Sequence, residues 1–197
     1  MRIGIKVAHI LTPVVLGLIS LSPTTAADNK ANEGFISLYN GKDLSGWRYA
    51  ENDTFEDKAE ASDGRYTAKG EAIVVNPHDA TRGPRLQQMW TTRNFPKDFI
   101  LKLEFRAGVN ADSGVFIRKP QLQCRDYLVA GPYQMLKKYR PQDWNTLVIT
   151  VKGNVAHCEC NGEVLEDKLE LPSTGPIGLE ADRGQMEYRR ILLKELN

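Results

Sequence analysis

Two carboxylates near the carboxyl end of the chain are the first candidates for chemistry. Glu180 and Asp182 stand two residues apart in the stretch GLEADRG. If this stretch is a strand, both side chains lie on one face and can hold a proton or a cation between them. In an exposed loop, the same acids would simply be solvated. A candidate cation is Arg118, which by alternation along GVFIR points away from Val115 and Ile117.

The segment HCEC at 157–160 is a second candidate cluster. Cys158 and Cys160 are two residues apart, so in a strand they share a face and either can pair with Cys124. A zinc site is disfavoured because metal-binding pairs usually enclose about two to four residues and no second pair exists. Free thiols and one disulfide both stay open, although three cysteines leave at least one unpaired within the chain. His157 either packs on its strand or binds a ligand.

The segments that would position these residues alternate with a period of two. Apolar residues alternate with polar ones in FILKLEFR (99–106), NTLVITVKG (145–153) and GVFIRK (114–119), which is typical of half-buried strands. Pairs typical of hairpin turns occur between such segments, as in the NG pair of VAHCECNGEVLED. No window of a dozen residues shows a clear helical period. We therefore predict an all-β sandwich.

The pattern leaves two places open for the large aromatic residues, the core and a sugar-binding surface. In the stretch GFISLYNGKDLSGW we expect a short strand, a turn, and Trp47 anchored at the sandwich edge. Trp90 and Trp144, like Trp47, either stack on sugar rings or belong to the core, and the core is the commoner place for aromatics in a sandwich.

The first 27 residues have the pattern of a secretory signal peptide. Arg2 and Lys6 precede an almost wholly apolar run from Val7 to Leu21, and small residues follow up to Ala27. The run is shorter than the roughly 20 residues that a membrane-spanning helix needs. We expect cleavage after residue 26 or 27, a single domain at 28–197, a periplasmic or secreted location, and no stable membrane insertion after cleavage.

The charge balance of the mature chain excludes some partners. Arg2 and Lys6 are two of 26 basic residues, so their removal leaves 24 against 25 acidic residues, a net charge of −1. A near-neutral chain without basic runs lacks the electrostatic signature of a nucleic-acid-binding protein. We expect a small or neutral partner.

Six stretches in order along the mature chain resemble one known family. They are GFISLYNGKDLSGW, DGRYTAKGEAIVV, MWTTRNFPKDFILKLEFR, NADSGVFIR, DWNTLVITVKGN and GPIGLEADRGQMEYRRILLKEL. The chain resembles the 3-keto-disaccharide hydrolases, also described as 3-keto-glucoside lyase/2-hydroxy-glucal hydratase domains. This resemblance implies a concanavalin A-like jelly-roll β-sandwich with a saccharide or glycoside as ligand.

The resemblance also implies an unusual reaction. A ketone at C3 of the sugar acidifies the C2 hydrogen, so a base can remove it and the C1 substituent can leave by elimination. Such a site needs a base near C2 and a cation or hydrogen-bond donor near the enolate oxygen. We expect catalytic roles for Asp182, Arg118 and Glu180, since the resemblance places Arg118 in the saccharide groove and the two acids, spaced two apart, can share a strand face. A non-catalytic carbohydrate-binding module on the same scaffold is the alternative.

Other site residues follow from the resemblance position by position. Gln121 and Gln123 stand where the family commonly has Glu-x-Gln, so an amide replaces a carboxylate at 121. Glu180 stands where Gln is usual. We expect Gln121, Gln123 and Glu187 to bind substrate, although Glu187 can instead pair with Arg189. His157 is added to these candidates on its residue type, not on the resemblance.

The cofactor remains open. The loop NADSG, which contains Asp112, is either a tight turn or an oxygen-rich loop for a divalent cation such as Ca²⁺, and the turn is favoured.

Overall fold

The computed structural model describes residues 32–79 and 84–197. Within this part of the chain, Gly34–Asn197 forms one compact unit of thirteen strands without a helix. In chain order the strands are β1 (Ile36–Ser37), β2 (Trp47–Arg48), β3 (Tyr66–Lys69), β4 (Ala72–Val75), β5 (Gln87–Thr91), β6 (Phe99–Ala107), β7 (Asp112–Ile117), β8 (Gln121–Arg125), β9 (Asn145–Lys152), β10 (Val155–Cys160), β11 (Glu163–Glu170), β12 (Ile177–Ala181) and β13 (Met186–Glu195).

The strands form two antiparallel sheets. The larger sheet has the order β11-β10-β9-β6-β13-β4-β3, with β1 added alongside β13. The smaller sheet has the order β2-β5-β12-β7-β8. Strands that are far apart in the sequence are therefore neighbours, since β12 lies between β5 and β7. The predicted all-β sandwich is confirmed.

Alternating apolar residues from both sheets make the core, as predicted. Leu101, Leu103 and Phe105 of β6 are buried, and so are Val115 and Ile117 of β7. Burying one such side chain stabilises the fold by about 1.5–3 kcal/mol. The inner face of each sheet is thereby fixed, and the polar residues of each strand are left on its outer face.

The predicted hairpin and chain start are also confirmed. Asn161 and Gly162 join β10 to β11 with φ values of 49° and 75°, the left-handed conformation that a two-residue turn of this kind requires. Trp47 is fully buried on the edge strand β2, and its indole N–H donates to the Leu38 carbonyl at 2.8 Å.

The predicted signal peptide at 1–27 lies outside the described residues. Among the residues that are described, no helix is long and apolar enough to cross a membrane.

Candidate functional site

The outer face of the five-stranded sheet, called here the small-sheet face, carries polar and aromatic side chains in three rows. Strand register defines these rows. The first row is Arg48, Trp90, Gly178, Phe116 and Gln121; the second is Gln88, Glu180, Gly114 and Gln123; the third is Arg183, Asp112 and Arg125. Successive rows are about 7 Å apart, since they are separated by two residues of extended strand.

Glu180 lies in the middle row and is the buried carboxylate of this face. Its relative exposure is 7%, and it accepts hydrogen bonds from the Gln121 amide at 2.5 Å and the Gln88 amide at 3.4 Å. Burial raises the pKa of Glu180 above 4.5; the negative charges of Asp182 and Asp112 add to this rise, while the two amide hydrogen bonds oppose it. A carboxylate in this setting is suited to accept a proton.

Gly114 allows Gln121 to reach Glu180 across the intervening strand β7. A Cβ atom at position 114 would lie 2.1 Å from Nε2 of Gln121, so any side chain there would displace the amide. Sequence reasoning predicted Gln121 and Glu180 separately as site residues. The structure brings them into direct contact.

Two aromatic rings lie next to this pair. The centres of the Trp90 and Phe116 rings are 5.0 Å apart, and their planes are inclined by 51°. Both side chains are partly exposed, and a Cβ at Gly178 would lie 2.7 Å from two atoms of the indole. Trp90 thus lies over Gly178 instead of packing in the core. We call Trp90 and Phe116 the aromatic platform.

The third row is charged. Asp112 accepts a hydrogen bond from the Gln123 amide at 2.7 Å and lies 3.2 Å from Nη1 of Arg125. Arg183 approaches the same carboxylate at 3.6 Å. The predicted substrate-binding residue Gln123 therefore lies on the site face, but its amide is engaged with Asp112.

Asp112 has protein partners where a calcium ligand was considered. Its segment begins with a turn, in which the Ala111 N–H donates to the Gly108 carbonyl at 3.0 Å and Asn110 has a φ of 58°. Within residues 32–79 and 84–197, no group of three or more His, Cys, Asp or Glu side chains is placed to hold a metal ion. The structure therefore shows the tight turn that the sequence favoured for the NADSG segment.

Asp182 lies just beyond β12, at the charged end of the face. Its carboxylate accepts a hydrogen bond from Nε of Arg85 at 2.9 Å. The fully buried Arg65, which sequence reasoning missed, donates to the main-chain carbonyls of Asp182 at 3.1 Å and Arg85 at 2.6 Å. Arg65 thus holds the two segments that carry the Asp182–Arg85 ion pair. An isolated arginine after DG gives no pattern from which this role could be predicted.

The prediction that Arg118 lies in the groove is wrong. Its side chain is 3% exposed, and the guanidinium donates to the carbonyls of Phe95, Lys97, Gly153 and Pro172 at 2.7–3.0 Å. Strand β7 ends at Ile117, and Arg118 has a φ of 60°, so the side chain leaves the alternation on which the prediction depended. Arg118 connects loops of the sandwich.

Glu187 lies on the outer face of the larger sheet, away from Glu180. It lines a groove of about 550 Å³ together with Trp144. Its ion-pair partner is Arg106 at 2.5 Å, and the alternative pairing with Arg189 is not formed because Arg189 binds Glu104 at 2.6 Å.

His157 also lies on the larger sheet, at β10. Its ring nitrogens are 3.1 Å from Asp167 and 3.4 Å from Glu159, and the hydrogen bond to Asp167 is the main cause that raises its pKa above 6.5. The structure does not bring His157 or Glu187 together with Glu180, so their predicted role in one common substrate site is corrected.

Cys124, Cys158 and Cys160 are buried free thiols. This decides between the two alternatives that the sequence left open.

The fold and the site together define the class of protein. It is a two-sheet, concanavalin A-like jelly-roll sandwich with polar and aromatic side chains on one outer sheet face. The model of the 3-keto-alpha-glucoside-1,2-lyase-like domain matches residues 34–194. The chain belongs to this family, and the resemblance seen in the sequence is confirmed. The family is one of carbohydrate-active, glycosyl-hydrolase-like domains.

Solved structures share the fold. A candidate glycosyl hydrolase from Parabacteroides distasonis ATCC 8503 is 16% identical with a TM-score of 0.65, over 88% of this chain and 98% of that one. A second candidate glycosyl hydrolase from the same organism is 18% identical with a TM-score of 0.55, over 76% of this chain and 99% of that one. No curated protein sequence matches the chain. At these identities the similarity establishes the fold alone.

Proposed function

We propose that the small-sheet face cleaves 3-keto-glycosides by elimination, with Glu180 as the base. The observation that carries the proposal is a buried carboxylate on a solvent-facing sheet surface that is contacted by two neutral amides. Among the described residues, no arginine or lysine binds this carboxylate directly to stabilise its charge, so it keeps a raised pKa and is a stronger base than a surface glutamate.

The proposed reaction begins at C2 of the sugar. Glu180 takes the C2 proton, and the electron pair of that C–H bond forms the C2–C3 double bond of an enolate, with negative charge on the C3 oxygen. The C3 carbonyl then re-forms, a C1–C2 double bond forms, and the C1–O bond breaks. Protonated Glu180 returns its proton to the leaving oxygen. Water then adds its hydroxyl to C1 and a hydrogen to C2, so the net reaction is hydrolysis.

Cations for the enolate oxygen are available at the charged end of the face. The side chains of Arg85 and Arg183 are 63% and 44% exposed although each lies near a carboxylate. A guanidinium has five N–H donors, so each arginine keeps donors for a developing negative charge. These residues take the role for which Arg118 was predicted.

The position of the carboxylate supports the same proposal. The family commonly has Glu at the position of Gln121 and Gln at the position of Glu180. In this chain the two are exchanged, and their side chains touch at 2.5 Å. After this exchange, the site still has one carboxylate and one amide at nearly the same place. The site therefore retains a base in Glu180, although the amide of Gln121 cannot act as one.

A saccharide-binding module without catalysis is the second candidate. The observation that favours it is the aromatic platform of Trp90 and Phe116, because exposed aromatic rings bind sugar faces without any chemistry. Under this alternative, Glu180 would only accept hydrogen bonds from sugar hydroxyls.

The experiment that tests the proposal measures release of nitrophenol from a nitrophenyl 3-keto-glucoside. We expect turnover by the wild-type chain, and a decrease of about 10²- to 10⁴-fold in the Glu180→Gln variant because the general base is removed. Parallel assays with EDTA test whether a divalent cation takes part.

His157→Gln is the matched control, because it alters a titratable residue on the larger sheet. It should leave turnover unchanged. Binding of the 3-keto-glucoside without turnover by the wild type would establish the module instead. Turnover that persists in Glu180→Gln would assign the base elsewhere.

We also propose that the chain is exported to the periplasm or beyond the cell, on the strength of the signal-peptide pattern at 1–27. The intact mass of protein recovered after export tests this proposal.

A further inference from the structure

The small-sheet face has two chemically different ends on either side of Glu180. Toward one end lies the aromatic platform in the first row, and toward the other lie Arg85, Arg183 and Asp112. Each row is about 7 Å from the next, which is comparable with the length of one sugar ring. The first and third rows are thus about 14 Å apart, and a ring held over Glu180 lies between them with its two sides facing opposite ends.

The platform is not explained by packing. Its two rings lie on the outer face of the sheet, and Trp90 occupies space that exists only because residue 178 is glycine. Two aromatic rings exposed together beside a buried carboxylate are typical of a ligand-binding surface. Arg48 is the cation of this row. It lies on the edge strand β2, and Trp90 on β5 stands between Arg48 and strand β12, which carries Glu180.

The order of carbon atoms in the sugar then sets the orientation of the substrate. C2 is bonded to C1 on one side and to C3 on the other. With the C2 hydrogen at Glu180, the C3 ketone is best placed toward Arg85 and Arg183, which can stabilise the enolate oxygen. The bond from C1 to the leaving group then points toward Trp90 and Phe116.

We infer that Trp90 and Phe116 form the leaving-group subsite, and that the preferred substrates are 3-keto-glycosides whose C1 substituent presents a flat apolar face, above all an aryl or arylmethyl group. This inference rests on the proposed function. The inference identifies the side of the site that receives the leaving group, and it names the chemical class of leaving group that this side selects.

Benzyl and methyl 3-keto-glucosides form a matched pair of substrates for the test. Benzyl alcohol and methanol have similar acidity, so the two substrates differ mainly in the ring that could stack. Trp90→Ala and Phe116→Ala should each lower kcat/KM for the benzyl substrate about three- to tenfold, because aromatic contacts contribute about 0.5–1.5 kcal/mol. The methyl substrate should change less than about twofold by the same argument.

Two further variants distinguish a specific effect on the subsite from a general loss of folding. Gly178→Ala keeps both aromatic residues but displaces the indole, so it should reproduce the selective loss on the benzyl substrate. Trp144→Ala removes a partly exposed tryptophan that precedes β9 and lies beside the larger sheet, and it should affect neither substrate. Equal losses on both substrates, or no loss on the benzyl substrate, would overturn the inference.

Failure of the proposed function gives a different result, since the wild type would then turn over neither substrate. In that case, tryptophan fluorescence titrations with the two glucosides decide the inference. Tighter binding of the benzyl compound that is lost in Trp90→Ala supports the subsite, whereas equal binding of both compounds overturns it.

Discussion

At Glu180, opposing influences set the affinity of the carboxylate for protons. Burial raises its pKa above 4.5, the nearby Asp182 and Asp112 raise it further, and the amides of Gln88 and Gln121 lower it. The proposed base works only when it is ionised. Turnover should therefore decrease as the pH falls through the folded-state pKa, which lies above that of an ordinary glutamate.

Asp182→Asn should move the acid limb of the kcat/KM profile to lower pH. The substitution removes a negative charge that raises the pKa of Glu180, and it releases Arg85 from its ion pair. The loss of the negative charge favours ionised Glu180. The measurement is kcat/KM against pH for the two proteins with the same 3-keto-glucoside. An acid limb that stays in place, or shifts to higher pH, would show that Glu180 is not the titrating base.

Residue identity in the sequence was sufficient for part of this site. The spacing of Glu180 and Asp182, and the family positions of Gln121 and Gln123, identified residues that the structure places on or at the end of one sheet face. Arg118 was wrong for a physical reason: alternation ends where a strand ends, and the sequence does not mark the left-handed φ of 60° at that residue.

Among the elements, two glycines shape the site because they leave space on the sheet surface. Gly178 leaves room for the Trp90 indole, and Gly114 leaves room for the Gln121 amide to reach Glu180. The sequence predicts the faces of β6, β7 and β9 from their alternation. It does not predict the rows, because β12 pairs with β5 and β7, which are distant in the chain, and their register depends on tertiary packing.

Gly114→Ala should reproduce the effect of Gln121→Ala. The added Cβ would lie 2.1 Å from the Gln121 amide and break its hydrogen bond to Glu180. That hydrogen bond lowers the pKa of Glu180, so its loss raises the pKa, and each variant should lower kcat/KM on the acid limb of the pH profile, where less Glu180 is ionised. The measurement is a double-mutant cycle in kcat/KM.

Since both substitutions remove the same contact, their effects should not add in the double variant. Additive losses would show that Gly114 acts through another part of the sheet. Gln134→Ala, an exposed glutamine of the loop between β8 and β9, is a control for amide removal.

Across the whole molecule, the two outer sheet faces are organised differently. On the larger sheet, Arg106 binds Glu187 and Arg189 binds Glu104, and both guanidinium groups lie over the Trp144 ring at 4.8 and 3.9 Å. Each of these carboxylates is therefore held by an arginine. The small-sheet face instead keeps Glu180 among amides, which distinguishes a candidate base from structural ion pairs of the same sandwich.

The sandwich also encloses three thiols, and this gives a prediction for the proposed exported form. Cys124, Cys158 and Cys160 are buried and free; burial raises the pKa of Cys158 and Cys160 to about 12 and that of Cys124 well above 9.0. Because thiolates are the reactive form, these residues should stay reduced in an oxidising compartment. The intact mass after export should match a chain that begins at residue 27 or 28 and carries three thiols. A mass lower by two hydrogens would reveal a disulfide, and a mass that includes residues 1–26 would contradict cleavage.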